Sequence, residues 1–501
     1  MNADSIRKDA HFRRCPASHP YRIETHVPLH HIQHWIAGQA VKSADNATAS
    51  TQRPEDNEPY AKACAASTCE VEAAVAAAQD AVESFRQTSP DQRESILLNA
   101  AKLIQQRSDA ITEILIDEIG SPISKAKLEI AISIGILKAH ASLPRRMTGR
   151  TYPDDQTGRL SFAKRQPLGV VAGITPFNVP LIKGVKHSSV ALATGNPFVW
   201  LPSQQTPVLA NALAEIYSAA GLPEGALNMI HGDGKQIGDA LTSHPGVRMV
   251  SFTGSAAVGK HIQAVCGQHG KRLTLELGGS NALIVLADAD LDAAVHAAAL
   301  GSFLYQGQIC LATSRIIVHQ AVAVEFRDKL VAKANALPYG PLTDPSTVIG
   351  PLINQASKAS AQQAIDDAMA NGATVECGNR WTGNRLHPTI LSQVNASMRI
   401  AQAEVFAPIV SLQTADDSEH ALQLANAGPG MLVAAVFGSN LQQVFALTDQ
   451  LETGMVHVNQ MTIQQDPMVP FGGEPPTGFG REGVETAIDD YTTWKWVTVK
   501  P

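Results

Sequence analysis

From residue 69 to about 107, apolar residues recur every three or four positions in an Ala-rich run with few β-branched interruptions, which predicts amphipathic helix. Ser89-Pro90-Asp91 divides that run with a fresh start signal, so two helices are expected. A third helical stretch, 109–140, breaks near Gly120-Ser121-Pro122. The texture changes near 145, where a polar, turn-rich and partly alternating segment predicts a β-hairpin over 147–165. Short apolar runs at 169–174, 198–201, 227–231 and 248–252 then alternate with helical patterns at 187–194, 207–220 and 236–243. A second series opens near 282 and continues through 315–318, a helix at 321–336, and strands near 373–376 and 409–413. This βαβα rhythm predicts α/β architecture: two open parallel-sheet domains joined near 276–281, with ligand in the crevice between them. The closing stretch 494–499 alternates and would be an exposed edge on its own, so a pairing partner is expected for it, a second subunit being one candidate.

Composition narrows the class. The chain has 501 residues, 44% of them hydrophobic and 17% charged, with a formal charge of −7 and no basic run, which gives no reason to expect a nucleic-acid partner. The longest apolar stretches, such as 167–175, fall far short of the roughly 20 residues that span a bilayer, so no membrane partner is expected. Six cysteines, at 15, 64, 69, 266, 310 and 377, show neither zinc-site spacing nor disulfide density, so no metal is expected. Reduced thiols and a cytoplasmic location are the simplest reading. Residues 1–25 are polar and read as an N-terminal extension without the apolar core of a secretory signal.

Four local features carry candidate chemistry, and each alone admits a plainer reading. Cys310, in Gln-Gly-Gln-Ile-Cys-Leu-Ala, is either core filler or a thiol at a turn facing a cleft, where a nearby helix N-terminus would lower its pKa. Glu276, in Leu-Glu-Leu-Gly-Gly, either points to solvent from a strand end or faces the crevice, where apolar neighbours raise it toward general-base range. Asn178, between Pro176 and Pro180, is a turn former or a rigid oxyanion donor. The loop Phe252-Thr-Gly-Ser, with Gly254 and Gly259 bracketing a turn into a helix, suits a pyrophosphate at a helix N-terminus.

In this order, together with Glu404 in Glu-Val-Phe-Ala-Pro and Pro-Phe-Gly-Gly at 470–473, these motifs make the chain resemble the aldehyde dehydrogenase superfamily from about residue 30 onward. The resemblance implies a cofactor-binding domain (26–146 and 166–278), a catalytic domain (279–484), and a small β oligomerisation element (147–165 and 485–501) in a homodimer or homotetramer. It implies Cys310 as nucleophile, Asn178 as oxyanion donor and Glu276 as the base that hydrolyses a thioester, with a free acid as product. For the cofactor it implies Ile174, Thr175 and Phe177 beside the nicotinamide, and Phe252, Gly254, Ser255 and Gly259 at the pyrophosphate. Gly232 falls near the adenine, with Leu277, Gly278, Glu404 and Phe406 toward the nicotinamide ribose.

Leu201-Pro202-Ser203-Gln204 departs from the family's Lys-Pro-Ser-Glu, which binds the adenosine ribose. Losing the Glu removes a repulsion against a 2′-phosphate, so NAD with weakened selectivity is expected and NADP is admitted, with Ser203 and Gln204 still at the ribose. Ala407 and the segment 472–480 depart from the family locally. The chain looks closest to benzaldehyde-, vanillin- and salicylaldehyde-type dehydrogenases, a branch that carries a basic residue where Lys186 stands. Pocket walls expected on this likeness are Phe177, Val179, Leu181, Ile309, Leu311, Met461 and Phe471, each of which could equally be core. Two alternatives stand beside this reading: a semialdehyde dehydrogenase, for which Lys183 is the near candidate to hold a distal carboxylate, and a non-catalytic member of the fold.

Overall fold

The computed structural model describes residues 29–395 and 398–500, and the expected N-terminal extension lies outside them. The Ala-rich stretch forms helices Thr68–Arg86 and Pro90–Gln106. Ser67 with Glu70, and Ser89 with Gln92, close a reciprocal capping box at each start. The third stretch splits as its Gly-Ser-Pro signal predicts. Ser108–Ile119 stops at Gly120, whose φ of 65° is left-handed, and Ile123–His140 follows Pro122.

The first sheet has eight strands, of which five central ones are parallel. Their spatial order is Arg272–Leu277, Val247–Gly254, Val170–Ile174, Phe198–Leu201, Leu227–Met229. The chain leaves Val170–Ile174 in one direction and returns on its other side with Val247–Gly254. That reversal is a topological switch point, where an open parallel sheet leaves a crevice beyond its strand C-termini. The helix expected over 187–194 in fact begins at Pro180 and runs to Ala193. Proline lacks an N–H and its φ is preset for a first helical turn, so the residue that ends the turn around Asn178 also starts the helix.

The second sheet has seven strands ordered Thr374–Cys377, Thr389–Ser392, Ile409–Ala415, Thr313–His319, Asn281–Val285, Met431–Phe437, Thr453–Val458, all parallel except the first pair. Both sheets carry buried apolar clusters on each face, which is why their central strands read as unbroken apolar runs. Arg272–Leu277 of the first sheet passes through Gly278-Gly279-Ser280 directly into Asn281–Val285 of the second. So short a link brings the ends of the two sheets together at Glu276.

A third sheet joins Arg150–Tyr152, Leu160–Pro167 and Thr492–Val499. The closing strand therefore pairs within its own chain, from Thr492 opposite Pro167 to Val499 opposite Leu160, and needs no second subunit on that side. Its outer edge has no partner strand among the described residues, and Trp496 there is 67% exposed. No helix among the described residues is long and apolar enough to cross a membrane.

Candidate active site

Asn178, Glu276 and Cys310 come from three different elements. Asn178 lies between strand Val170–Ile174 and helix Pro180–Ala193, is buried, and donates from Nδ2 to the Gln308 carbonyl at 3.0 Å. That carbonyl is two residues before Cys310, so the amide and the thiol segment are in direct contact. Glu276 is in the last strand of the first sheet before the link, 5% exposed, and neither carboxylate oxygen has a hydrogen-bond partner. Gly472 passes over it so closely that a Cβ there would lie 2.6 Å from Oε1.

The segment leading to Cys310 is unusual. Tyr305, Gln306 and Gly307 have φ of 50°, 45° and 71°, three left-handed residues in a row. Side chains pin them down. Tyr305 donates to the Ile119 carbonyl at 3.2 Å, and Gln306 donates to the Pro351 carbonyl at 2.7 Å while accepting from Gly350 N–H at 3.0 Å. Gln308 Oε1 accepts from Ile353 N–H at 3.1 Å. Beyond the thiol, Asn281 donates to the Cys310 and Ala312 carbonyls at 2.8 and 2.9 Å and accepts from Leu432 and Val433 N–H. The two amide side chains flanking Gly307 thus anchor the loop.

Electrostatically the thiol differs from expectation. Cys310 sits in an irregular turn before Thr313–His319. Burial pushes its pKa up to about 11, opposed chiefly by the Lys183 ammonium. Burial likewise raises Glu276 to about 8, with the Glu482 charge adding to the effect and Lys183 and Lys186 opposing it.

Both lysines lie on the first two turns of helix Pro180–Ala193 and reach one carboxylate. Lys183 donates to both Glu482 oxygens at 2.9 Å and Lys186 to one at 2.5 Å, and each is 3% exposed. Burial alone would raise Glu482, but these two cations hold it far below the usual carboxylate range. For Lys183, burial works against the charge and Glu482, Glu276 and Cys310 outweigh it, leaving its pKa raised. His187 stays neutral because burial lowers it to about 4.

The expected cofactor residues gather at the switch-point crevice. Ile174 and Thr175 end one strand, with Thr175 held by Trp200 Nε1 at 2.9 Å, and Gly254 and Ser255 end its neighbour at the start of helix Ala256–Gln268. Ser255 is exposed and makes no side-chain cap there, so the first-turn N–H groups are open to an anion. Gly259 lies inside that helix, where a Cβ would be 2.4 Å from Leu277 Cδ2, so its place is helix-to-strand packing rather than the turn. Phe252 folds beneath Gly254 in the same way, 2.5 Å from where a Cβ would stand. Gly232 packs against Ile237 and Ala66, Ser203 Oγ accepts from Gln205 N–H at 3.2 Å, and Gln204 is exposed. On the adjacent strand end, the Glu404 carboxylate lies over Gly278, 1.9 Å from a Cβ built there, and burial raises its pKa to about 8. Phe406 meets Phe177 edge-on with centroids 5.9 Å apart. An anion-accepting helix start at Gly254-Ser255 and a carboxylate over the bare Gly278, on adjacent strand ends where Gly254 pairs with Leu277, fit a nicotinamide dinucleotide.

Of the expected pocket walls, Phe177, Val179, Leu181, Ile309, Leu311 and Phe471 share one apolar cluster with Cys310. Met461 packs against the second sheet's core instead, and Met455 and Ile463 join the Cys310 cluster without having been expected. Glu482, Lys125, Glu129 and Asn281 also escaped the sequence reading. Lys125 and Glu129 showed only an i, i+4 spacing, which on a surface helix would be an ordinary solvated pair, and Glu482 and Asn281 showed no signal.

An open doubly-wound sheet whose strand ends meet a half-buried thiol, a buried amide and a buried carboxylate fits a dinucleotide-dependent α/β enzyme. A match to the aldehyde dehydrogenase family covers residues 40–497, and the chain belongs to that family. A vanillin dehydrogenase of Corynebacterium glutamicum is 38% identical, over 93% of this chain and 97% of its own. A probable NADP-dependent succinate-semialdehyde dehydrogenase of Sinorhizobium fredii is 36% identical, over 85% of this chain and 88% of its own. The crystal structure of a salicylaldehyde dehydrogenase from Pseudomonas putida, complexed with salicylaldehyde, superposes with a TM-score of 0.91 at 32% identity, covering 94% of this chain and 98% of that one.

Lys183 is the largest influence opposing the burial of Cys310. Lys183→Met is therefore expected to move the pH midpoint of Cys310 alkylation upward by about one pH unit. Mass-spectrometric alkylation rates across pH, with exposed Cys69 as internal reference, measure this.

Proposed function

We propose that the protein oxidises an aromatic or otherwise hydrophobic aldehyde to its carboxylic acid through covalent attachment to Cys310. The observation that carries this reading is the buried, unpartnered Glu276 carboxylate in a site where the Asn178 amide touches the Cys310 loop. A carboxylate without a partner is costly to bury, and a water it can deprotonate is the partner this chemistry requires.

The Cys310 thiolate adds to the carbonyl carbon, and the negative charge moves to the aldehyde oxygen. Asn178 Nδ2 turns from the Gln308 carbonyl to that oxygen and stabilises it. The bound nicotinamide supplies a hydride acceptor, and loss of hydride from the carbon leaves a thioester. Glu276 then takes a proton from water, the hydroxide attacks the thioester carbon, and the carbon–sulfur bond breaks to release acid and thiolate. Glu404 beside Gly278 and the helix start at Gly254-Ser255 would hold the cofactor. With Leu201 and Gln204 at the adenosine end, we read NAD as preferred over NADP only weakly. The first sheet then serves as the cofactor-binding unit (26–146 and 166–278), the second as the catalytic unit (279–484), and 147–165 with 485–501 as the oligomerisation element. The five unpaired cysteines among the described residues suit a reducing cytoplasm.

The six clustered apolar walls support an aromatic ring or a medium aliphatic chain. A second reading, a carboxylate-bearing aldehyde, draws on the semialdehyde relative and on the two lysines that share one Glu482. Against it, Lys183 already gives hydrogen bonds to both Glu482 oxygens. Benzaldehyde, octanal and succinate semialdehyde, each with NAD and NADP, separate the two by absorbance of reduced cofactor. Turnover of benzaldehyde and octanal is expected, and turnover of the semialdehyde alone would replace the first reading by the second.

Glu276→Gln is expected to keep one stoichiometric burst of reduced cofactor and lose about 10²–10⁴-fold in steady turnover, because the thioester forms but is not hydrolysed. Since the folded carboxyl titrates near 8, the parent deacylation rate should rise as pH increases through that value, and the variant should lack this limb. Quenched-flow burst amplitudes across pH measure both.

The open edge of Thr492–Val499 supports association as a homodimer or homotetramer. Trp496→Asp, on the most exposed of its large side chains, is expected to lower the sedimentation mass.

A further inference from the structure

Behind Asn178 lies a buried ion pair that the reaction as proposed does not use. Lys125 and Glu129, one turn apart on helix Ile123–His140, are 5% and 1% exposed, and their charged ends are 2.5 Å apart. Glu129 Oε1 accepts from Leu181 N–H at 2.9 Å and Ile182 N–H at 3.3 Å, the first turn of helix Pro180–Ala193. That helix has no cap of its own, because Val179 at its start offers no side-chain acceptor. Glu129 therefore caps it from a neighbouring helix, and a carboxylate at a helix N-terminus also meets the favourable end of the dipole.

Lys125 reaches further. Its Nζ donates to the Asn178 carbonyl at 2.7 Å and stands 4.1 Å from the centre of the Tyr305 ring. Tyr305 is the first of the three left-handed residues that lead to Cys310. One ammonium thus touches the segment carrying the amide and the segment carrying the thiol, while Asn178 Nδ2 closes the circuit on the Gln308 carbonyl. Burying such a pair stabilises little, and well-packed apolar side chains of similar volume would often serve stability as well. What apolar side chains could not do is bind a carbonyl, cap a helix and press on an aromatic face from one point.

We infer that Lys125, held by Glu129, is a positioning residue that sets the spacing between the Asn178 amide and the Cys310 loop. The inference rests on the proposed reading of Asn178 and Cys310 as the reacting groups. With the spacing lost, the amide no longer meets the oxyanion, and formation of the thioester slows while cofactor binding is unchanged.

A double-mutant cycle on the full-length protein tests this, with NAD and benzaldehyde and the single-turnover rate of reduced cofactor as readout. The variants are Asn178→Ala, the paired Lys125→Met with Glu129→Gln, and their combination. Asn178→Ala is expected to lower the rate about 10²–10³-fold. The Lys125/Glu129 pair is expected to lower it about 10-fold or more in the parent but less than about 2-fold in the Asn178→Ala background, with KM for NAD unaltered in both. Equal factors in the two backgrounds would overturn the role of Lys125 and leave the site reading standing. A parent-like rate in Asn178→Ala would remove the site reading itself. Should the paired variant fail to fold by circular dichroism, Lys125→Arg, which keeps the charge but moves the donor, runs through the same cycle: a loss confined to the parent background supports the role, and equal losses in both overturn it.

Discussion

Three consecutive left-handed residues before Cys310 are the constraint on which the site depends. For a residue with a Cβ that conformation costs about 1–2 kcal/mol, and Tyr305 and Gln306 both bear one. Their side chains contribute hydrogen bonds worth about 1 kcal/mol each, to Ile119, Pro351 and Gly350, so the strain is offset by the side chains of the residues that carry it. The consequence is a tight turn that delivers Cys310 to the crevice with its own carbonyl held by Asn281. Asn281 opens the second sheet four residues after the first one ends, so the same short link that joins the sheets also fixes the thiol relative to Glu276.

The strand ends around Gly254 and Gly278 are organised differently, by close backbone approach. Gly254, Gly259 and Gly278 each stand where a Cβ would collide with Phe252, Leu277 or Glu404. Leu277 ends the strand and Gly278 opens the link. A single strand end therefore packs helix Ala256–Gln268 on one side, accommodates the Glu404 carboxylate on the other, and carries Glu276 just before them.

Much of this was legible in the chain. Apolar runs bounded by glycine and proline marked the parallel strands, because strands buried on both faces leave little else for their sequence to show. Asn178, Glu276 and Cys310 were legible through the family resemblance, since each alone admitted a plainer reading as turn former, solvent-facing strand end or core thiol. Glu482 and the Lys125–Glu129 pair did not, because burial of a charge is decided by tertiary packing and leaves no periodic trace. The electrostatics of the thiol were not legible for a related reason: they are set by neighbours in space, among which Lys183 opposes burial most. Met461 and Met455 show the limit at short range, since two methionines of one segment face different cores.

The charges around Glu276 form one further constraint. Lys183 and Lys186 bring two positive charges against the single negative charge of Glu482, and His187 beside them is neutral. Arg481 adds a weaker positive influence from the edge, and Glu404 a negative one felt at the thiol. Burial lowers the Lys186 pKa, while Lys183, raised against its burial by Glu482, Glu276 and Cys310, keeps a positive charge toward both Glu276 and the thiol. A thiolate at Cys310 answers it while Glu276 is protonated, and a carboxylate at Glu276 answers it once the sulfur is esterified and neutral. The two steps of the proposed reaction require those two states in that order. Both groups rest neutral because burial raises them to about 11 and about 8, and the same two lysines oppose burial at Glu276 while Lys183 does so at Cys310. On the proposed reaction, a positive Lys183 facing both groups would favour a thiolate at Cys310 first and a carboxylate at Glu276 once the sulfur is acylated.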